Sequence, residues 1–370
     1  MLAVIVILSV LVVIHELGHF FVARWRGVTV EEFGLGYPPR AKALFTWKKT
    51  LFTLNWVPFG GFVRLAGEDS SSEAHEKNSP VKGLFYNASP ISQLLVILAG
   101  AAVNFVFGIV IFSGLFSYTG IPMPIDEARI GEVAPGSPAA IAGVPKDVTV
   151  TGLVDSTGLR VPISTFSDLV NAVGQRKGQD VTLQTTGLCQ GYACAESQHE
   201  YKVRVRTDAE TPAGQGSLGV LWGVAYVHYP WYQMPFKSTW YGFEQATYMG
   251  RQILQALGQM VSQLVLQGTV PQEVAGPVGI IHQAQTTGLM QQGFVNILFF
   301  AGMLSVNLAI MNILPIPPLD GGRAVFILLG TVIHKRHMAK VEYYANYGGY
   351  VALLLLIIAV TIRDVLRVIG

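Results

Sequence analysis

Charge is what this chain has least of. Only 13% of its 370 residues are Asp, Glu, Lys or Arg, against 51% hydrophobic. Soluble domains carry about 25% charged residues, so the composition excludes an ordinary soluble enzyme and places the chain among membrane proteins. The formal net charge is +2, which leaves no basic field for a nucleic-acid partner. Cysteine is nearly absent too, with two in the whole chain, Cys189 and Cys194. They share one polar, glycine-containing stretch, where they form a candidate disulfide if that stretch faces an oxidising compartment. The first apolar run has no basic stretch before it and no small-x-small cleavage site after it. We therefore expect a retained helix and not a cleaved leader.

Four apolar stretches are long enough to cross a bilayer. They run over about 2–25, 91–118, 294–314 and 347–362. A fifth stretch, 236–266, carries Lys237, Glu244 and Arg251 among many glutamines, with apolar residues three or four apart. That pattern predicts an amphipathic helix lying on the membrane. Between the first two spans, Thr50–Val57 and Pro58–Leu65 read as two strands with a tight turn at Pro58–Gly61. Between the second and third spans, short strands and helices predict a small α+β domain over about 128–208. The expected layout is a first half of the membrane core at 1–118, the α+β domain at 119–235, the surface helix and its loop at 236–291, and a second half of the core at 292–370.

Basic residues set the orientation. Arg24, Arg26, Arg40, Lys42, Lys48, Lys49 and Arg64 follow the first span, and Arg323, Lys335, Arg336 and Lys340 follow the third. Both loops are then cytoplasmic, and the α+β domain is outside.

The first span contains His15-Glu16-Leu17-Gly18-His19. On a helix, His15 and His19 share one face and can hold one metal ion, with Glu16 beside them as a base. Intramembrane imidazoles and carboxylates are costly and mark functional sites. At 1.5 Å per residue, His15 lies about 21 Å along the span, past the bilayer midplane. The third span ends in Asn312-Ile-Leu-Pro-Ile-Pro-Pro-Leu-Asp320-Gly-Gly, which brings Asp320 to a similar depth. Asp320 is therefore the expected third ligand, with a turn aspartate as the alternative. His282 lies at the wrong end, His334 and His337 in a basic loop, and His75, His199 and His228 in polar segments. Asn104, inside the second span, is either a helix–helix contact or a substrate contact. Asn312 either binds substrate backbone or caps local carbonyls.

Taken together, the zinc signature in the first span, the glycine-rich hairpin, the outer α+β insert and the late Asn-x-x-Pro-x-Pro-x-Leu-Asp-Gly element resemble the bacterial site-2 intramembrane metalloproteases. The most similar type is the regulator of sigma-E protease. The resemblance covers nearly the whole chain. It implies a polytopic α-helical membrane protein with four transmembrane helices, a membrane-associated β-hairpin and an extracytoplasmic PDZ-like domain, in the bacterial cytoplasmic membrane. It implies one Zn2+ held by His15, His19 and Asp320 near the cytoplasmic side, and Glu16 as catalytic base. Asn104 and Asn312 would lie near substrate, and Pro58, Gly60 and Gly61 would guide it. It implies an endopeptidase that cuts single-span membrane proteins, such as anti-sigma factors or signal-peptide remnants, after a first cut outside. The family type usually has two PDZ domains and this insert has room for one. Its Val144-Pro-Lys-Asp147 replaces the usual Gly-Asp turn, so peptide binding is not the expected role of the domain, and a size filter or a steric gate is the alternative. A non-cutting PDZ relative and a zinc transporter are the competing readings.

Overall fold

In the computed structural model, the described residues are 2–68, 83–124, 127–187, 189–190, 193–194, 198–212, 215–267, 293–332, 341–352, 354–355, 358 and 361–362. They form two compact units. One comprises Met1–Leu115 with Pro235–Gly370, and the other Phe116–Met234.

In the first unit, helices α1 (Leu2–Trp25), α2 (Pro90–Thr119) and α6 (Phe294–Ile313) are long and apolar enough to cross a membrane. Many of their residues are β-branched, which disfavours helix in water. In lipid a single segment satisfies its own backbone groups only as a helix. Small residues bring the helices together. Gly18 of α1 sits against the backbone of Ala99 and Gly100, Gly108 of α2 against Val306, and Gly302 of α6 against Phe112. Helix α7 (Asp320–Leu329) follows α6, and residues 341–352 are helical. The expected fourth span, 347–362, falls partly outside the described residues.

The amphipathic stretch forms one 34-residue helix, α5 (Met234–Gln267). Gly242, Ala246 and Gly250 make a small-residue stripe at intervals of four. Gly242 meets Ser113 and Ile109, Ala246 is fully buried, and Gly250 meets Ile310. The first half of α5 thus touches α2 at Gly242 and α6 at Gly250, a placement that its polar composition does not announce.

Strands β1 (Val30–Trp47) and β2 (Thr50–Leu65) form the hairpin. Its turn is at Lys48–Lys49, where Trp47 pairs with Thr50, and not at Pro58–Gly61 as the sequence pattern predicts. Both lysines have positive φ, 45° and 72°. Such a turn ordinarily takes Asn-Gly, and left-handed backbone costs a residue with a Cβ, such as lysine, about 1–2 kcal/mol. Pro38-Pro39 and Pro58 mark a second reversal, at which both strands bend together. Glu32, Phe33, Gly34 and Leu35 consequently each face two partners: Leu51 and Arg64, Phe52 and Val63, Thr53 and Phe62, Leu54 and Gly61. The hairpin is therefore a four-segment sheet, with 58–65 at one edge and 40–47 at the other. Buried Glu32 binds it together, accepting from Thr53 Oγ1 at 2.8 Å and from Arg40 Nη2 at 2.8 Å, with Arg64 at 3.3 Å.

The hairpin runs along α1. Trp47, beside the turn, lies under the Arg24 guanidinium at 4.5 Å, and Phe33 and Phe52 pack on Phe20 at 5.6 and 5.8 Å. The bend lies against Val12 and Val13. The twelve positions from Val12 to Arg24 correspond to about 18 Å of helix. The bend thus reaches well into the depth of α1, while the turn and both strand ends stay near its terminus.

The second unit has a six-stranded sheet. Its order is β10 (Gln198–Arg204), β7 (Asp180–Thr186), β5 (Val148–Val154), β4 (Arg129–Val133) and β11 (Val220–Trp222), with β6 (Arg160–Pro162) on β5. Alternating residues Val148, Val150, Val181, Leu183 and Val203 point into its core. Helix α4 (Phe166–Gly174) starts at a capping box of Thr165 and Asp168, and buries Leu169, Ala172 and Val173 in the same core. Helix α3 (Pro138–Ile141) starts at Ser137. Strands β3 (Ile121–Pro124) and β12 (Val224–Val227) form a separate pair. Strands β8 (Cys189–Gln190) and β9 (Ala193–Cys194) place Cys189 directly opposite Cys194. Opposed antiparallel residues have Cα atoms about 4.5–5.5 Å apart, within the range a disulfide spans.

Candidate metal centre

Helix α1 runs His15 and His19 down one face, and their Nε2 atoms are 3.1 Å apart. His19 Nδ1 is 2.8 Å from the carbonyl of Val96 on α2. That bond takes the Nδ1 proton and leaves Nε2 a lone pair. After α6, the chain turns through Pro315-Ile-Pro-Pro and starts α7 at Asp320. Gly321 and Gly322 are both buried, with their α-carbons close against the backbone of Ile313, Leu314 and Ile316. The turn is therefore tight enough to return Asp320 to α1. Asp320 Oδ2 lies 2.9 Å from His15 Nε2 and 3.4 Å from His19 Nε2.

Among the described residues, His15, His19 and Asp320 form the one group able to hold a metal. The site fits zinc on its own chemistry. Two nitrogens and one carboxylate oxygen form a usual catalytic set, and bonds of about 2.0–2.1 Å put tetrahedral ligand atoms ~3.3 Å apart. Gly100 supplies a second indication. A Cβ there would lie 2.5 Å from His19 Nε2 and 2.6 Å from His15 Nε2, so only glycine leaves the space between the rings and α2 open. Sequence reading passed over Gly100. Its signal was a glycine one turn before the polar Asn104 in an otherwise apolar span.

A cavity of about 170 Å³ opens on this group, lined by Glu16, Tyr37, Gly61, Phe62, Glu68 and Arg323 beside His15, His19 and Asp320. Glu16 faces the hairpin edge. A Cβ on Gly61 would be 3.9 Å from Glu16 Cγ, and one on Gly60 would be 3.1 Å from Val12 Cγ1. These glycines let the 58–65 edge approach α1 beside the carboxylate. Pro58 stands at the bend and does not line the cavity.

Arg323 follows Asp320 by one turn of α7 and donates to Glu68 Oε1 at 2.5 Å. Glu68 Oε2 in turn accepts from Leu65 N at 3.2 Å, at the end of β2. This ion pair ties the aspartate's helix to the hairpin, and the sequence did not indicate it. Asn104 is fully buried, with no partner for its side-chain oxygen or nitrogen, and its carbonyl accepts from Ser305 Oγ at 2.7 Å. Neither Asn104 nor Asn312 lines the cavity in this conformation. His199 and His228 belong to the second unit, and His75, His282, His334 and His337 lie outside the described residues.

A family model described as Peptidase family M50 matches residues 3–356. The zinc metalloprotease RasP of Oceanobacillus iheyensis is 28% identical over 443 residues, covering 99% of this chain and 98% of that protein. RasP of Geobacillus kaustophilus is 25% identical, covering 98% and 96%. A solved PDZ domain of a carboxy-terminal protease from Vibrio cholerae, in complex with peptide, is 17% identical. It covers 23% of this chain and 90% of that one, with a TM-score of 0.19.

Proposed function

Because the chain belongs to peptidase family M50, and is a zinc metallopeptidase of the site-2 intramembrane type, we propose how its own residues do the work and on what. His15, His19 and Asp320 hold the ion, and Glu16 is the base. The observation that carries this is the convergence of the three ligand atoms within 4.8 Å of one another, in a cavity that Glu16 and the hairpin edge share. Zinc, when bound, supplies Lewis acidity at the scissile carbonyl and makes water acidic near neutral pH. The Glu16 carboxylate takes a proton from the attacking water and returns it to the leaving amine.

A helical substrate keeps its carbonyls bonded within the helix, so the segment to be cut must first unwind. The 58–65 edge receives it as an added strand and satisfies its freed backbone groups. Asn104 and Asn312 contact substrate only in a conformation that exposes them. Substrates are single-span membrane proteins, of the anti-sigma-factor or signal-peptide-remnant kind, already shortened outside. We assign four spans, an extracytoplasmic PDZ-like unit that limits substrate size, and an active site towards the cytoplasm. Basic residues after the first and third spans support that orientation.

Co-expression with a library of single-span proteins truncated outside tests this reading. Wild type cleaves members with a mid-span glycine or polar break, and Glu16→Gln cleaves roughly 10²–10⁴-fold more slowly while retaining its zinc. Equal cleavage by the two enzymes removes Glu16 from the chemistry.

A further inference from the structure

The hairpin turn breaks a local rule. Its two residues, Lys48 and Lys49, both sit in left-handed backbone, where Asn-Gly is favoured and lysine is strained. Positions that carry such a conflict tend to be used for something else. Three features surround the turn. Among the described residues, no ion pair engages Lys42, Lys48, Lys49 or Arg24, and the Arg24 Nη1 atom is buried without a hydrogen-bond partner. Aromatic rings stand between these cations. Trp47 has Arg24 above it at 4.5 Å and Lys48 at 5.2 Å, and Arg26 lies 5.5 Å from the Trp25 ring. Trp25 and Phe45 are themselves open, with 73% and 57% of their surfaces exposed. Finally, the Arg24–Trp47 contact holds the turn at the end of α1, the level where a membrane helix meets the headgroups. Trp and Tyr rings are enriched at that level, and cations there meet anionic lipid phosphates.

From this juxtaposition we infer that the Lys48–Lys49 turn, with Lys42, Arg24 and Trp47, binds the phosphate of an anionic phospholipid in the leaflet at that end of α1. The rings enter the interface, and the ammonium and guanidinium groups reach the phosphate. Binding anchors the hairpin's turn while its bend lies some 18 Å deeper beside Glu16. The lipid would therefore steady the edge that lines the catalytic cavity. The inference does not depend on the reading of substrates given above.

Full-length protein in nanodiscs of equal phosphatidylglycerol and phosphatidylcholine tests this. Lipids retained on release are counted by native mass spectrometry. Wild type retains phosphatidylglycerol preferentially. The double variant Lys48→Asn/Lys49→Gly suits the turn better, so it melts no lower than wild type in pure phosphatidylcholine discs. It nevertheless loses the preference by roughly tenfold. Lys42→Gln loses a smaller part. Equal retention of both lipids by wild type overturns the inference, and so does a double variant with undiminished preference. A double variant that keeps its lipid preference but shows a raised KM for a single-span substrate identifies the turn as a protein-docking surface, which also overturns it.

Discussion

Gly100 shows how much of the centre rests on an atom that is missing. Substituting Ala places a methyl group where the two imidazole nitrogens converge. Alanine favours a helix interior by about 1 kcal/mol over glycine, so α2 itself does not weaken. We expect Gly100→Ala to bind zinc at least tenfold more weakly, read by metal content after dialysis against a graded chelator. Full retention of one zinc per chain would show that the space is not needed. The same scale explains why Asp320 was legible and Gly100 was not. An aspartate in an apolar setting advertises a cost, whereas a glycine in a membrane helix is common and is told apart only by what faces it.

At the scale of elements, two ion-pair systems hold the hairpin. Arg323 and Glu68 join α7 to the end of β2, and the guanidinium lies mostly shielded from solvent. Arg323→Gln leaves Glu68 without its cation, and we expect it to lose roughly 3–5 kcal/mol of stability by denaturant titration in micelles. Glu68→Gln/Arg323→Gln should lose less than the two single variants summed, because no charge is left alone. Additive losses would mean that the pair is not coupled. Glu32 holds the four segments together. Burial pushes its carboxyl up, but the Thr53 hydroxyl and the Arg40 and Arg64 guanidiniums outweigh this and hold it below the ordinary 4.5. Since the folded value is the lower one, the stabilisation is present above about pH 4.5 and is lost as pH falls through the folded value. Wild type should therefore lose more melting temperature between pH 6 and pH 3.5 than Glu32→Gln does. Equal losses would put the acid sensitivity elsewhere. The hairpin also shows where pattern reading went astray. Its alternation pointed to the right strand, but proline and glycine at 58–61 signalled a turn. The register shows a bend there, and the turn itself falls on two lysines that no turn preference selects.

For the whole molecule, the helices pack closely at Gly18, Gly108, Gly242 and Gly302, and on that ground we expect the bundle to hold without the ion. Removing zinc with 1,10-phenanthroline should stop cleavage, and adding zinc should restore it, with helical circular dichroism unchanged throughout. Loss of helical signal on chelation would show that the ion organises the bundle. The sequence by itself determined the membrane class, the spans 2–25, 91–118 and 294–314, the α+β insert and the pair His15 and His19. Hydropathy and helical spacing are properties of neighbouring residues. It also pointed to Asp320 as the candidate third ligand, because the expected span directions and lengths bring it to a depth similar to that of His19. Only the tertiary structure decided that Gly100 faces both imidazoles, that Arg323 reaches Glu68, that α5 touches α2 and α6 at Gly242 and Gly250, and that the hairpin folds back beside Glu16. Each of those depends on contacts between residues tens to hundreds of positions apart, whose approach is set by packing and leaves no periodic trace in the chain.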